Sequence, residues 1–481
     1  MTDAVRIMVL FGSLPSYFPE RHGVFDRARA GLSALAEAEG AMMSFHQPVV
    51  INAEDAAAGL LEAARFGADL VLLLHGGFTM GDVARTLSES GMRIGFWSVP
   101  EPVFEKDIQL NGFVSLNMSL SITGKFRPAG HSPVAWYFGE ADDAVFRRRF
   151  VNTIRSLRVL KALNGLRVGR VGGLAPTFYN MDVDREALAA SWSAEIVDLS
   201  IEALREAANA IGDGLVAAEA VAMAAAAKVE IAGDDLRLSA RYALAIAGLM
   251  DRENLGAVAI SDWPALQDDP GFHPGAAFSW VEERYGRAVA SEGDVLGAMS
   301  QIAVLAAGGT TGCLLDLCAP DIARGRMLVW HGGGGAIHLG DDNGARWINH
   351  PMLGRGSTDQ PRIGAILDLT FADGPVTLVR LGDNGTAIFA LEAEVVRGGQ
   401  PGFDGVRGWL ANFSQCGTDL TLEDVLETVM IHGLEHHFVL MAGHFSDVFA
   451  EVSTWGGLRW QSALKASGYL AGRPSAGGVQ P

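Results

Sequence analysis

Two carboxylates and a crowd of histidines are the residues of this chain whose types and spacing bear most directly on chemistry. Glu292 and Asp316 close two successive apolar, strand-like runs, Arg287–Ser291 and Gly312–Leu315. Far downstream, His432, His436, His437 and His444 fall within one short stretch beside Glu435. Two carboxylates and one imidazole can hold a divalent metal and still leave coordination positions open for a substrate. The same acids would then serve as an acid/base pair. Four histidines are too many for one such site, so some of them are ordinary hydrogen-bonded or surface side chains. The residues alone leave open which one is the ligand.

These groups need elements to position them. In an open α/β sheet, ligands bind at the carboxyl ends of the strands. Glu292 lies at such a place, with Glu292-Gly293-Asp294 as the turn and Val295–Ala307 as the following helix. An acid after a strand is often the N-cap of the next helix, and Asp294 suits that role better than Glu292. Asp316 is flanked by apolar residues, where an acid needs a partner. It lies 24 positions after Glu292, enough for strand, helix and strand. Adjacent parallel strands would put both carboxylates on one rim. Asp262-Trp263-Pro264 follows the strand ending at Ile260-Ser261, so Asp262 and Trp263 are candidate substrate contacts, although a capped turn with a packed indole explains them equally well. Trp330-His331 leads into Gly332–Gly335 after the strand Met327–Val329. Four glycines let backbone approach a ligand, and the adjoining Trp330 and His331 favour an active-site loop over a merely flexible one. The run matches neither the dinucleotide fingerprint nor the phosphate loop. Asn117 and Lys125 are weaker candidates. No dense Arg/Lys cluster marks a strongly anionic substrate, though Lys125, Arg127 and Arg355 could meet one.

The chain of 481 residues is too long for one ordinary core. Its first third alternates strand and helix patterns, among them Val5–Phe11, Phe25–Glu39, Leu70–Leu74, Gly81–Ser90 and Arg93–Val99, a rhythm that implies a parallel sheet covered by helices. A helix over Asp142–Leu163 ends at Asn164-Gly165. A second such unit begins at Leu166, with strands Val168–Val171, Glu195–Leu199, Ala257–Ile260, Ala288–Ser291 and Gly312–Leu317. After about Ala319, extended runs rich in Val, Ile and Thr take over, and Asp383-Asn384-Gly385 is a strong hairpin signal. The expected fold is therefore α/β: two doubly wound parallel-sheet domains, residues 1–165 and 166–318, and a β-rich, antiparallel or barrel-like domain with helices, residues 319–481. The tail from Gly472 reads as disordered.

A net charge of −19 disfavours nucleic acid and anionic membrane as partners. No run approaches the length of a membrane span. The first residues read as a strand rather than a signal peptide. Three cysteines without CxxC spacing suit a reducing compartment. The expected location is the cytoplasm.

In several motifs the chain resembles the L-fucose/L-arabinose isomerase superfamily, most closely its shorter L-fucose isomerase-like proteins. VASEGDVLGAMSQ resembles the strand-turn-helix with that family's first catalytic glutamate, and LLDL the strand with its catalytic aspartate. WHGGGGAIHL resembles its Trp-His-Cys-Gly-Asn loop, and HHFVLMAGH the stretch that supplies the metal histidine. The similarity runs through the whole chain in domain order. It implies Mn2+, or a similar divalent cation, held by Glu292, Asp316 and His437, with His436 at the family's Asn position. It also implies aldose–ketose isomerisation of a small sugar and a homo-oligomer, trimeric or hexameric. Gly333-Gly334 replaces Cys-Gly-Asn, and Asp262 stands where a Cys or Gln type is the rule, so the substrate departs from the family's before the metal does. Two other readings stay in view: a different metal-ene-diolate reaction on a sugar or sugar acid (epimerase, decarboxylase or lyase), and a non-catalytic sugar-binding protein.

Overall fold

A computed structural model of the chain describes residues 4–268, 272–351, 363–398 and 400–468. Arg355 and the tail from Gly472 lie outside the described residues. The chain makes two compact units. One runs to Lys161 and takes in Glu451–Gly457; the other runs from Ala162 to Ala450 and resumes at Leu458.

The first unit holds a five-stranded parallel sheet. Its strands Arg6–Gly12, Met42–Phe45, Leu70–His75, Ile94–Ser98 and Ala135–Phe138 lie in the spatial order second, first, third, fourth, fifth. Leu70–His75 is buried at every position, as a strand covered on both faces must be. The helices start and stop where the local chemistry directs. Asn52 and Asp55 form a reciprocal capping box at the head of Ala53–Phe66, and left-handed Gly67 ends it. Arg127 donates to the carbonyls of Ser88, Met92 and Ser132, so its guanidinium is engaged by the unit's own backbone.

The second unit opens with a four-stranded parallel sheet, ordered Ala288–Ala290, Ala257–Ile260, Arg167–Val171, Glu195–Leu199. The rest is dominated by a mixed sheet. Six of its strands close on themselves: Ala387–Val395, Gly374–Gly382, His437–Ala442, Cys313–Asp321, Arg326–His331 and Val406–Gln415, with the last pairing back to the first. Every pairing in this ring is antiparallel, and closure leaves these strands no free edge. The hairpin expected at Asp383-Asn384-Gly385 joins two of them. The fold is thus α/β with a β-rich C-terminal part, and one continuous core spans the parallel sheet and the barrel.

One expectation is corrected. The run after Gly312 does not add to the parallel sheet beside Ala288–Ala290. As Cys313–Asp321 it belongs to the barrel, antiparallel to both Arg326–His331 and His437–Ala442. The length and burial of the strand explain this. A strand inside a parallel sheet is short and apolar throughout, whereas this one continues for nine residues and is partly exposed from Asp316 onward. A turn at Ile322–Arg324 then folds it back on Arg326–His331. The boundary expected at 318 falls inside this strand.

Candidate active site

The barrel register places three of the candidate residues side by side. Asp316 sits directly opposite His437 on one neighbouring strand and opposite Trp330 on the other. Directly opposed residues in antiparallel strands present their side chains on the same face, so Trp330, Asp316 and His437 form one row. A β-bulge follows between Leu317 and Ala319, a device that re-aims side chains at barrel rims.

Glu292 arrives from the parallel sheet, just past Ala288–Ala290. Its backbone is left-handed at φ 62°, as is that of Gly293 at φ 74°. Asp262 fixes this turn: its Oδ1 accepts the Glu292 N–H at 2.7 Å. The Gly293 N–H donates to Ile260 O at 3.0 Å, and the Glu292 carbonyl accepts from Ala175 N at 2.9 Å. The turn swings the Glu292 carboxylate to His437, with Oε2 3.5 Å from Nε2. His437 Nε2 also lies 3.8 Å from Asp316 Oδ1. The two carboxylates therefore meet at one imidazole, one coming from a parallel-sheet turn and one from the barrel wall.

The electrostatics follow from burial and neighbours. Burial pulls the His437 imidazole down, but the Asp294 hydrogen bond and the charges of Asp294, Asp316 and Glu292 outweigh it and hold the pKa above the ordinary value. Burial raises the Asp316 carboxyl, only partly opposed by His437 and His436. Asp262, wholly buried and beside Glu292, is pushed up to about 7, with burial the main cause. Burial drives His331 well below the usual histidine range, and the charge of His437 adds to this. His331 Nδ1 accepts the Gly333 N–H at 2.7 Å, which leaves the ring proton on Nε2. His273 and His350 are lowered by burial to about 3 and about 4.

Glu292 and His437 have two candidate third partners, His436 and Asp316. Glu292, His436 and His437 each offer an atom within 4.8 Å of the others. His436 already has company: its Nδ1 accepts from Asn180 Nδ2 at 3.1 Å, its Nε2 lies 3.4 Å from Glu292, and its ring stacks on Phe178. Asp316 Oδ1 and His437 Nε2 are both buried without a hydrogen-bond partner. Buried polar atoms carry a large penalty when unsatisfied. Asp316 Oδ1 lies 3.8 Å from His437 Nε2, which makes Asp316 a candidate third donor alongside His436. Carboxylate and imidazole donors suit Mn2+ or a similar divalent ion, and the residues present fit such an ion.

The site opens into a cavity of about 220 Å³. Trp263, Trp330 and Phe178 give it apolar surfaces; Glu292, Asp316, Asp262, His273, His331 and His350 give it polar ones. Of the candidates from the sequence, Glu292, Asp316, Asp262, Trp263, Trp330 and His331 line this space, and His437 lies buried against Glu292 and Asp316. Asn117 and Lys125, on Gly112–Phe126 of the first unit, do not line it. His432 and His444 do not join: His432 bonds to Ser462 O, and His444 is exposed. Sequence reasoning missed His273 and His350, which stand in runs without a motif. It gave Asp294 only a capping role. Asp294 does cap Val295–Gly308 through Gly297 N, and it also accepts from His437 Nδ1 at 3.0 Å.

Beneath the glycine run lies Glu282, buried, with Oε1 accepting from Gln301 Nε2 at 2.5 Å and Oε2 unpartnered. Burial holds its carboxyl well above the usual range. The folded chain then binds this proton more tightly than the unfolded chain does. Its contribution to stability is complete below the ordinary glutamate pKa and falls as pH rises from there, by about 1.4 kcal/mol per pH unit until the folded pKa is passed. Glu282→Gln is expected to remove that slope and to melt above the wild type at neutral pH. Thermal melts from acid to neutral pH check this; parallel curves for the two proteins would refute it.

Comparison with known proteins adds a relationship. No family model matches the chain. Over 370 residues it is 26% identical to the sulfoquinovose isomerases of Priestia aryabhattai and Priestia megaterium, an overlap of 74% of this chain and 76% of each relative.

Proposed function

We propose that this chain is a divalent-metal-dependent aldose–ketose isomerase acting on an open-chain sugar through an ene-diol, with sulfoquinovose the first substrate to test. The observation that carries this reading is the convergence of Glu292 Oε2 and Asp316 Oδ1 on His437 Nε2, the latter two atoms buried and unpartnered, beside a cavity that both carboxylates line. The similarity to proteins named as isomerases of a sugar supports the reaction class. The cavity lies below the roughly 300–1,000 Å³ of sites for drug-sized ligands, which favours a single sugar unit.

Glu292, Asp316 and His437 would hold the ion. When bound, Mn2+ or a similar cation supplies Lewis acidity toward the sugar's carbonyl oxygen and the adjacent hydroxyl. One carboxylate takes the proton from the carbon that bears the hydroxyl, and the C–H electron pair becomes the C=C bond of the ene-diol. Returning that proton to the former carbonyl carbon, while the hydroxyl proton passes between the two oxygens, converts aldose to ketose with atoms balanced. Glu292 and Asp316 are the groups for these two transfers. His331, neutral and protonated at Nε2, can donate to a sugar oxygen. Trp330 and Trp263 shield the site from water and offer faces to sugar C–H groups.

The test is a screen of aldoses and ketoses, sulfoquinovose included, with Mn2+ in D2O, read by product NMR. Ketose formation with deuterium at the reacting carbon is expected. Deuterium uptake without ketose would point to another ene-diolate reaction. Sugar binding without turnover, unchanged by chelator, would mark a binding protein.

A further inference from the structure

The group that ties the site together is a buried cation that does not line the cavity. Arg380, on Gly374–Gly382, has no exposed surface. Its Nη1 donates to Asp294 Oδ2 at 2.5 Å and its Nη2 to Asp294 Oδ1 at 3.1 Å. Its Nε lies 3.5 Å from Glu435 Oε2. Asp294 belongs to the turn that carries Glu292, two residues on. Glu435 belongs to the segment that delivers His437, two residues before it. One guanidinium therefore grips both of the chain segments that bring Glu292 and His437 together.

Asp294 has no freedom left in this arrangement. Its Oδ2 takes Arg380 and the His437 Nδ1–H at 3.0 Å. Its Oδ1 takes Arg380 and the Gly297 N–H at 2.8 Å. Four donors fill the four acceptor positions of a carboxylate. With Nδ1–H fixed on Asp294, Nε2 is the nitrogen of His437 that faces Glu292 and Asp316 and is left to bind a cation once unprotonated. A planar fork suits this task, because it holds one carboxylate in two places at once.

We infer that Arg380 and Asp294 are positioning residues that set the ring orientation of His437 and its spacing from Glu292, so that the divalent-cation site is organised before the cation arrives. This rests on the metal-dependent reading above. Carboxylates behind a ligating imidazole commonly contribute about 10–100-fold to metal affinity.

The test measures Mn2+ binding to the purified full chain by calorimetry, without sugar, at a temperature well below each variant's melting point. Asp294→Asn and Arg380→Lys are expected to weaken Mn2+ by about 10–100-fold and to change the visible ligand-field spectrum of Co2+ bound in its place. Variants that melt earlier yet bind Mn2+ with the wild-type dissociation constant and give the wild-type Co2+ spectrum would show a structural role only, and overturn the inference. Should those two fail to fold, Glu435→Gln decides, because it removes the charge that ties Arg380 to the segment delivering His437 while sparing the Asp294–Arg380 pair that the fold needs. Weaker Mn2+ binding supports the inference; unchanged binding overturns it. A wild type that holds no divalent ion would take down the functional reading as well, whereas wild-type binding with unaffected variants removes this inference alone.

Discussion

Glu292→Gln is expected to lower isomerase turnover by about 10²–10⁴-fold, the usual worth of a general acid or base, in a protein that still folds. The fold should survive because the carboxylate is not a core group. Its side chain is about one-fifth exposed, and its partners are His436 and His437 at 3.4 and 3.5 Å. Glutamine keeps the shape and one oxygen donor but cannot accept a proton at catalytic rates. The size of the fall does not by itself separate a lost base from a lost ligand. A Mn2+ titration does. If Glu292 were a ligand only, saturating Mn2+ would restore turnover. If it moves the C–H proton, turnover stays low at saturation, and exchange of substrate hydrogen with D2O falls with it. Wild-type turnover in a variant that binds Mn2+ would end the case for Glu292 as a proton carrier. Asp316→Asn should fall as far at saturating Mn2+ if it shuttles the second proton.

Much of this site was legible in the residues because its signals are local. A strand, a turn and a capped helix placed Glu292 and Asp294, and Asp-Asn-Gly marked the hairpin from three residues. The position of Asp316 was legible and its sheet was not. Apolar runs of four to six residues look alike whether they end in a parallel sheet or a barrel, and only the antiparallel partners 327–330 and 437–440 decide between them. The partnership of Asp294, Arg380 and His437 was out of reach for the same reason. The ion pair joins positions 86 residues apart and the imidazole contact positions 143 apart. No periodicity encodes such a contact. A buried arginine in a strand of apolar neighbours was its one outward sign, since such a charge requires a partner.

The backbone at Glu292 carries the second large expectation. A left-handed residue other than glycine is strained by about 1–2 kcal/mol, and such strain collects at functional positions. Here Asp262, Ile260 and Ala175 hold the strained turn through its backbone groups. An ordinary Ala→Gly change destabilises by about 0.5–1 kcal/mol, because glycine loses more entropy on folding. At position 292 the sign should invert. Glu292→Gly is expected to be more stable than Glu292→Ala by about 1 kcal/mol, and both should be inactive. Comparing these two variants cancels the lost carboxylate, and chelator-treated protein keeps metal out of the measurement. The neighbouring position sharpens the argument. A Cβ on Gly293 would lie 2.2 Å from the carbonyl oxygen of Gly173, a backbone atom that cannot swing aside. Gly293→Ala must therefore displace the turn, and with it a carboxylate whose distance to His437 Nε2 is 3.5 Å. A displacement of about 1 Å at a reacting group can cost about 10²-fold in rate, so Gly293→Ala should lose activity on that scale with Glu292 still present. Thermal melts of the three variants and turnover of Gly293→Ala read out both effects. A Glu292→Gly variant less stable than Glu292→Ala, or a fully active Gly293→Ala, would mean that the left-handed turn does not set the position of the carboxylate.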